Sequence, residues 1–505
     1  MDQRRREQPD EPAGPAGGRP DQPADGRPDE PAGESWLGRR FELLVGPIAH
    51  GGHCVARHEG RVVFLRHALP GETVLAEVTE DRGGSFCRAD AIEIRHASPD
   101  RVARPCPYAH PGGCGGCDFQ HVALPAQRAL KAAVVAEQLS RLAGLDRPVT
   151  VQPLDEADTG LGWRRRVRFA VGPAGELGLH AHRSHTLVPI SHCSIGAPGV
   201  GDARALHRDW PGLAELEVAV DDRGEVVEVA HRPVRRPARR PRADRGRGFR
   251  PVLTAEQVSG PLQLRYTVAG RQFGIRPAGF WQTHPRAAEV FTATVLAAAA
   301  PQPGERVLDL YAGAGLFTAA LAEAVTGTGR VLGLESDPAA VADAAGNLAG
   351  LPWATVRRAT VDERTVAAAA PELGGSPDIV VLDPPRSGAG RAVLAAILAG
   401  GPRVVVYVAC DPAALARDVR FARDAGWRLA DLSAYDAFPM THHVECIAVL
   451  RPDHDPDYDR EQDSEQNPDP DHDPAGAAGT GAPGARSGVD RPADGGSENS
   501  TVQVG

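Results

Sequence analysis

RVVVYVACDPAALARD, residues 403–418, is the stretch whose reading decides the fold. Residues 403–409 form an apolar run rich in β-branched side chains, the pattern of a parallel strand buried on both faces. Asp411 and Pro412 supply a capping residue and a proline suited to the first helical position. The Ala/Leu/Arg pattern of 413–419 then continues as a helix. Cys410 therefore stands at the carboxyl end of a strand and just ahead of a helix, the edge where open α/β sheets bind ligands. A helix N-terminus favours the thiolate, which makes Cys410 a candidate nucleophile. The competing reading is a buried cysteine behaving as a small hydrophobe.

The surrounding sequence repeats the strand–helix alternation. RVLDL (306–310) leads into YAGAGLFTAALA, RVLGLE (330–335) precedes a helix through 341–349, DIVVLDPP (378–385) precedes another, and VECIAVL (444–450) closes the series. Such alternation predicts an α/β domain with a doubly wound parallel sheet. Gly313 and Gly315 allow backbone to approach a ligand, and Glu335, twenty residues past Gly315, is placed to hold a ribose diol. Thr318 occupies the third glycine position of the dinucleotide fingerprint, so S-adenosylmethionine is the better nucleoside ligand.

Ahead of this half, residues 41–95 alternate short strand-like runs with Gly-containing turns, which predicts a small OB-like β-barrel. RPCPYAHPGGCGGCDFQH follows, with Cys106, Cys114 and Cys117 bent around a common centre by Pro and Gly-Gly. Three thiolates need a fourth ligand, for which Cys193 is the best placed, and the chemistry allows either a Cys₄ zinc or a [4Fe–4S] cluster. Residues 124–142 have helical spacing. WRRRVRFAV (163–171) carries four arginines and two aromatics on one expected strand, either a solvated charged face or a surface for phosphate contact and base stacking. Residues 231–250 are Pro/Arg-rich and read as a disordered basic insert.

Charge is uneven along the 505 residues. Of the net −10, residues 1–38 hold −4 and residues 452–505 hold −10, leaving the body between them at +4. Both ends lack large apolar residues and read as disordered tails. The mildly basic body permits an RNA partner. No apolar leader or membrane-length run appears, so a cytoplasmic protein without a membrane partner is expected, and eight cysteines are too few for a secreted disulfide scaffold.

DLYAGAGLF, DPPRSG, VACDPAALARD and FPMTHHVE together resemble the RNA (uracil-5-)-methyltransferase family, and the resemblance covers residues 41–451. It implies a TRAM-type barrel at 39–97, a central α+β iron–sulfur domain at 98–275 holding a [4Fe–4S] cluster, and a Rossmann-like S-adenosylmethionine-dependent methyltransferase domain at 276–451. It implies methyl transfer to C5 of a uridine in tRNA or rRNA by a monomer. Cys410 becomes the nucleophile and Glu445 the base, with Gln282, Tyr311, Glu335 and Asp383 around S-adenosylmethionine. The first cysteine spacing is longer than the family's usual form, and Asp411 replaces its common Asn. An exocyclic amino-group methyltransferase is the rival for Asp-Pro-Pro, though Arg386 stands where those enzymes place an aromatic. A non-catalytic RNA-binding protein is the other rival.

Overall fold

The computed structural model describes residues 34–157, 159–234 and 253–453; the two tails and most of the basic insert lie outside them. The first element is a six-stranded barrel-like sheet of β1 (Arg40–Leu44), β2 (Ile48–Ala49), β3 (His53–His58), β4 (Arg61–Arg66), β5 (Thr73–Asp81) and β6 (Phe86–His96), in the order β1-β5-β6-β4-β3-β2. Its strands alternate apolar side chains inward, with Val63, Leu65, Val74 and Ala76 almost fully enclosed. Trp36 joins this core and the Gly38 N–H donates to the Val78 carbonyl, so the barrel begins ahead of the expected boundary at 39.

Two elements after the barrel do not stay in the central region where the sequence reading placed them. Helix α1 (Leu124–Gln138), extended by a π-turn over Leu139–Ala143, packs Val135 and Leu139 against the catalytic sheet. Strand β7 (Val151–Pro153) pairs with that sheet's edge. What remains central is a second six-stranded sheet, β8 (Arg166–Val171), β9 (Leu177–His180), β10 (Leu187–Pro189), β11 (Glu215–Val220), β12 (Val226–Pro233) and β13 (Leu253–Ser259), in the order β10-β9-β8-β11-β12-β13. The hairpin of β14 (Leu264–Val268) and β15 (Arg271–Ile275) shares its core with Phe291 and Phe317 of the catalytic domain, ahead of the expected boundary at 276.

The catalytic domain follows as α2 (Ala287–Ala299), β16 (Arg306–Leu310), α3 (Leu316–Val325), β17 (Arg330–Glu335), α4 (Pro338–Asn347), β18 (Ala354–Arg358), α5 (Glu363–Ala367), α6 (Ala370–Leu373), β19 (Ile379–Leu382), α7 (Arg391–Ala399), β20 (Val404–Ala409), α8 (Pro412–Asp424), β21 (Trp427–Asp436) and β22 (Glu445–Pro452). Its sheet order is β18-β17-β16-β19-β20-β22-β21-β7, parallel from β18 to β20, with β22 antiparallel to both neighbours. Along β20 every residue is buried because successive side chains enter two different cores: Val404, Val406 and Val408 on one face, Val405, Tyr407 and Ala409 on the other. Asp411 caps α8 by accepting from the Ala414 N–H at 2.8 Å, with Pro412 in the first turn. The chain reverses winding between β16 and β19, which lie side by side, so the ends of these strands open the crevice where ligands bind. Among the described residues no helix is long and apolar enough to cross a membrane.

Candidate active site

Four strand ends supply the crevice. Tyr311 leaves β16 in a left-handed conformation (φ +62°), and Gly313 and Gly315 continue the turn at φ +53° and +85°. Open space lies where a Cβ on Gly313 would project, so the backbone there is bare. Glu335, ending β17, accepts from the Gly313 N–H at 3.0 Å and from the Asp337 N–H at 2.7 Å. This fixes its carboxylate beside the glycine turn, the position from which a ribose diol is held. Asp383 follows β19, and Gln282 lies half-buried between Trp281 and His284.

Cys410 follows β20, and Glu445 opens the antiparallel β22. The last pair between these strands is Ala409 with Cys446, so one further step along both chains sets Cys410 opposite Glu445. Antiparallel pairing thus brings the start of the last strand to the same edge as the ends of the others.

The electrostatics differ from the expectation of a favoured thiolate. The Cys410 thiol is pushed up to about 12, first by burial, then by the neighbouring Glu445 and Asp383 carboxyls, with Arg386 opposing. The α8 N-terminus does not overcome this, because the Asp411 carboxylate already occupies it as the cap. Burial also raises Glu445 well above the usual carboxylate range, with Asp383 adding to it. Asp383, half-buried by area, is raised to about 7 by desolvation of its carboxyl and then by Asp309. Asp309 lies inside β16, where its Oδ2 accepts the Thr318 hydroxyl at 2.5 Å; burial raises it to about 7 as well. A charged residue within the apolar RVLDL run was the sequence signal for it, and it was missed.

Cys410 opens into a cleft of about 950 Å³ between the catalytic domain and the barrel. Arg386, His442 and His443 line the catalytic side; His53, Phe64, Phe86 and Arg88 line the barrel side. Arg88 lies over both the Phe86 and the Phe64 rings, at 5.3 and 5.9 Å. His50 Nε2 meets Asp411 Oδ2 at 3.2 Å, joining the barrel to the residue after Cys410. No local sequence signal singled out His50 or the two barrel phenylalanines.

Arg165, Arg166 and Arg168 of the 163–171 run are engaged in ion pairs and do not stand as free charge. Trp163 and Phe169 are buried, Arg166 and Arg168 pair with Glu217, and Arg165 pairs with Asp222 at 2.5 Å. The compensating acids lie some fifty residues away in sequence, which is why the run read as free charge.

Cys106, Cys114, Cys117 and Cys193 line one small pocket with apolar walls that include Leu179 and Ile190. The Cys114 loop is held against the central sheet where the Gly115 N–H donates to the His180 carbonyl at 2.9 Å. Gln120 Nε2 lies 3.4 Å from the Cys117 sulfur. Burial raises the Cys114, Cys117 and Cys193 thiols. Among the described residues no three His, Cys, Asp or Glu side chains are grouped closely enough to hold a metal ion. Cys54 and Cys87 are buried in the barrel core, away from this pocket.

Two family models match the chain: the TRAM domain over residues 34–91 and tRNA (uracil-5-)-methyltransferase over residues 376–452. An RNA methyltransferase of Streptomyces avermitilis, itself uncharacterized, is 45% identical over 436 residues, covering 82% of this chain and 99% of its own. The 23S rRNA (uracil(1939)-C(5))-methyltransferase of Alkalilimnicola ehrlichii is 34% identical over 443 residues, covering 81% of this chain and 96% of its own. The chain belongs to the RNA (uracil-5-)-methyltransferase family. This methyltransferase also shares its fold with the Pyrococcus abyssi tRNA (uracil-54, C5)-methyltransferase solved with S-adenosyl-L-homocysteine (TM-score 0.59, 21% identity, 81% of this chain and 100% of that one). Membership makes it an S-adenosylmethionine-dependent RNA uracil-C5 methyltransferase, with the TRAM match lying on the barrel that faces Cys410.

Proposed function

We propose that this methyltransferase modifies C5 of a uridine in tRNA or rRNA through a covalent bond between Cys410 and C6 of the base, with Glu445 as the general base. The observation that carries this reading is that Cys410, which lines the cleft, and the buried Glu445 each stand one residue beyond the Ala409–Cys446 pair, with the Glu445 carboxyl acting on the thiol. C5 of uracil is too weak a nucleophile to take a methyl group unaided. The Cys410 thiol gives up its proton to solvent in the cleft, and the sulfur adding at C6 turns the C5–C6 π bond into an enolate whose electron density lies on C5. S-adenosylmethionine supplies the methyl group to that carbon. Glu445 then takes the C5 proton, the C5–C6 double bond reforms, and the Cys410 thiolate leaves. One proton is released from Glu445 per cycle. Arg386, the one cation among the groups acting on both side chains, favours the charged form of each. The uridine must leave its stack to reach Cys410, and the cleft provides the room.

Gly313 would meet S-adenosylmethionine through bare backbone, with Gly315 continuing the turn, and Glu335 would hold its ribose, with Gln282, Tyr311 and Asp383 completing the surround. Cys106, Cys114, Cys117 and Cys193 would hold a [4Fe–4S] cluster: all four line one pocket, and their thiols would have to draw closer than they stand to bind it. Such a cluster would tie the central domain together; no step of the reaction passes through it. One chain supplies both walls of the cleft, which supports a monomer, and an RNA substrate supports a cytoplasmic site of action. The test is mass spectrometry of tRNA and rRNA from a deletion strain. A 5-methyluridine should disappear, and return with the wild-type gene but not with Cys410→Ala; unchanged RNA would overturn the proposal.

A further inference from the structure

The loop between β21 and β22 carries His442 and His443 and delivers Glu445 to the sheet, yet most of what holds it belongs to a distant part of the chain. The Asp118 and Phe119 N–H groups both donate to the Met440 carbonyl at 2.9 Å. The Met440 N–H in turn donates to Gln127 Oε1 at 2.8 Å, while Gln127 Nε2 donates back to the Phe119 and Val122 carbonyls. Lys131, one turn along α1, donates to the Phe438 carbonyl at 3.0 Å. Asp118 Oδ2 accepts from the His442 N–H at 3.2 Å and meets His442 Nδ1 at 2.6 Å.

These contacts hold Met440 at φ +66°, a left-handed conformation costly for a side chain of its size. Strain of this kind persists only where the surroundings over-determine it. Beyond His442 the contacts continue to His443 and Arg386. The His442 and His443 rings lie 4.1 Å apart between centroids, and His443 Nε2 stands 3.3 Å from Arg386. Arg386 is the cation that acts on Glu445.

We infer that Asp118 is a positioning residue for the proton-removal step: it anchors His442, and with it the loop that runs three residues on into Glu445, and so holds the Glu445 carboxylate in place for the C5 proton. The segment that follows Cys117 is thereby part of the mould of the active site. This rests on the proposed role of Glu445. If the Glu445 loop is loosened, sulfur addition and methyl transfer still proceed, because Cys410 is carried by β20 and α8. Loss of the C5 proton and release of Cys410 are the steps that slow.

The experiment compares Asp118→Ala, Asp118→Asn, His442→Ala and Glu445→Gln in full-length protein with RNA and S-adenosylmethionine. Asp118→Ala should slow product release at least tenfold and accumulate RNA bound covalently to Cys410, seen as a retarded band on a denaturing gel. RNA and S-adenosylmethionine affinities and iron content should stay within twofold of wild type. Asp118→Asn, which keeps an acceptor oxygen, should recover most of the rate. His442→Ala removes the same contact from the other side and carries the test if Asp118→Ala does not fold; the double variant should be no slower than either single one. Trapping by Glu445→Gln but not by either single variant would overturn the positioning role and leave the proposed function standing. No trapping by Glu445→Gln would overturn both. Loss of RNA affinity alone, or lower methylation without adduct, would also overturn it.

Discussion

Cys410 and Glu445 each stand one residue beyond the Ala409–Cys446 pair that ends the β20–β22 register, close enough for the carboxyl to act on the thiol. The nucleophile and base proposed above would act in succession on adjacent carbons of one ring and need to stand close together. Here a strand register supplies that closeness, not a loop.

That relationship predicts opposite phenotypes for two substitutions. Cys410→Ala should form no adduct and lose methylation by a factor of about 10⁴ or more, as expected for removal of a covalent nucleophile. Glu445→Gln should add and transfer the methyl group, then remain attached to methylated RNA. Denaturing gels with labelled RNA distinguish the two, and substantial activity in Cys410→Ala would return an amino-group methyltransferase to first place.

The raised Cys410 thiol gives a pH signature. Burial, then Glu445 and Asp383, disfavour the thiolate up to about pH 12. Its alkylation in free enzyme should therefore climb about tenfold per pH unit between 7 and 9, without the plateau that an ordinary thiol reaches near ~8.5. Glu445→Gln removes a negative neighbour and should speed alkylation at the high end. Peptide-resolved mass spectrometry after a short iodoacetamide pulse reads this out, and a plateau near pH 8 would contradict it.

Protein purified without oxygen should be brown and hold iron and sulfide in cluster stoichiometry. Cys193→Ser should lose most of it, because its sulfur is one of the four at the pocket. Zinc without iron in the anaerobic preparation would replace the cluster with a Cys₄ zinc site.

Phe86 and Arg88 offer a stacking face towards Cys410 from the barrel. Stacking on one aromatic is worth about 1–3 kcal/mol per base, so Phe86→Ala should weaken RNA binding roughly 5- to 150-fold and leave S-adenosylmethionine binding unchanged. Filter binding at two salt concentrations separates the stacking loss from phosphate contacts. Equal affinity in the variant would assign this face a structural role.

Lys131 and Asp436 form a fully buried ion pair at 2.5 Å. Asp436→Ala should destabilise the fold by about 3–5 kcal/mol, since it leaves a buried ammonium without its partner. Replacing both residues with apolar ones should recover most of the loss in a thermal melt.

The catalytic sheet was legible because its strands are apolar on both faces: β16, β17, β19, β20 and β22 each appear as short runs ending in a polar or glycine-rich turn. β18 and β21 were not singled out; ATVRR and WRLADLSAYD mix charge with apolar residues because they lie near the sheet margin. α4 begins at Pro338, earlier than read, since Asp337 caps it. The Cys410 environment was not legible, because its thiol depends on Glu445 and Asp383, which only folding brings near. The same holds for the 163–171 arginines, whose partners Glu217 and Asp222 come from another strand and its turn.

β7 sits on the outer margin of the catalytic sheet although it is encoded more than a hundred residues before β16, and α1 covers the same domain beside α8. A fragment beginning at residue 276 would leave β21 with naked N–H and C=O groups and α8 with an uncovered apolar flank, a template for aggregation. Dissection therefore has to follow three-dimensional seams. A piece that keeps both the sheet and the His442 loop whole has to carry residues 118–153 together with the C-terminal half.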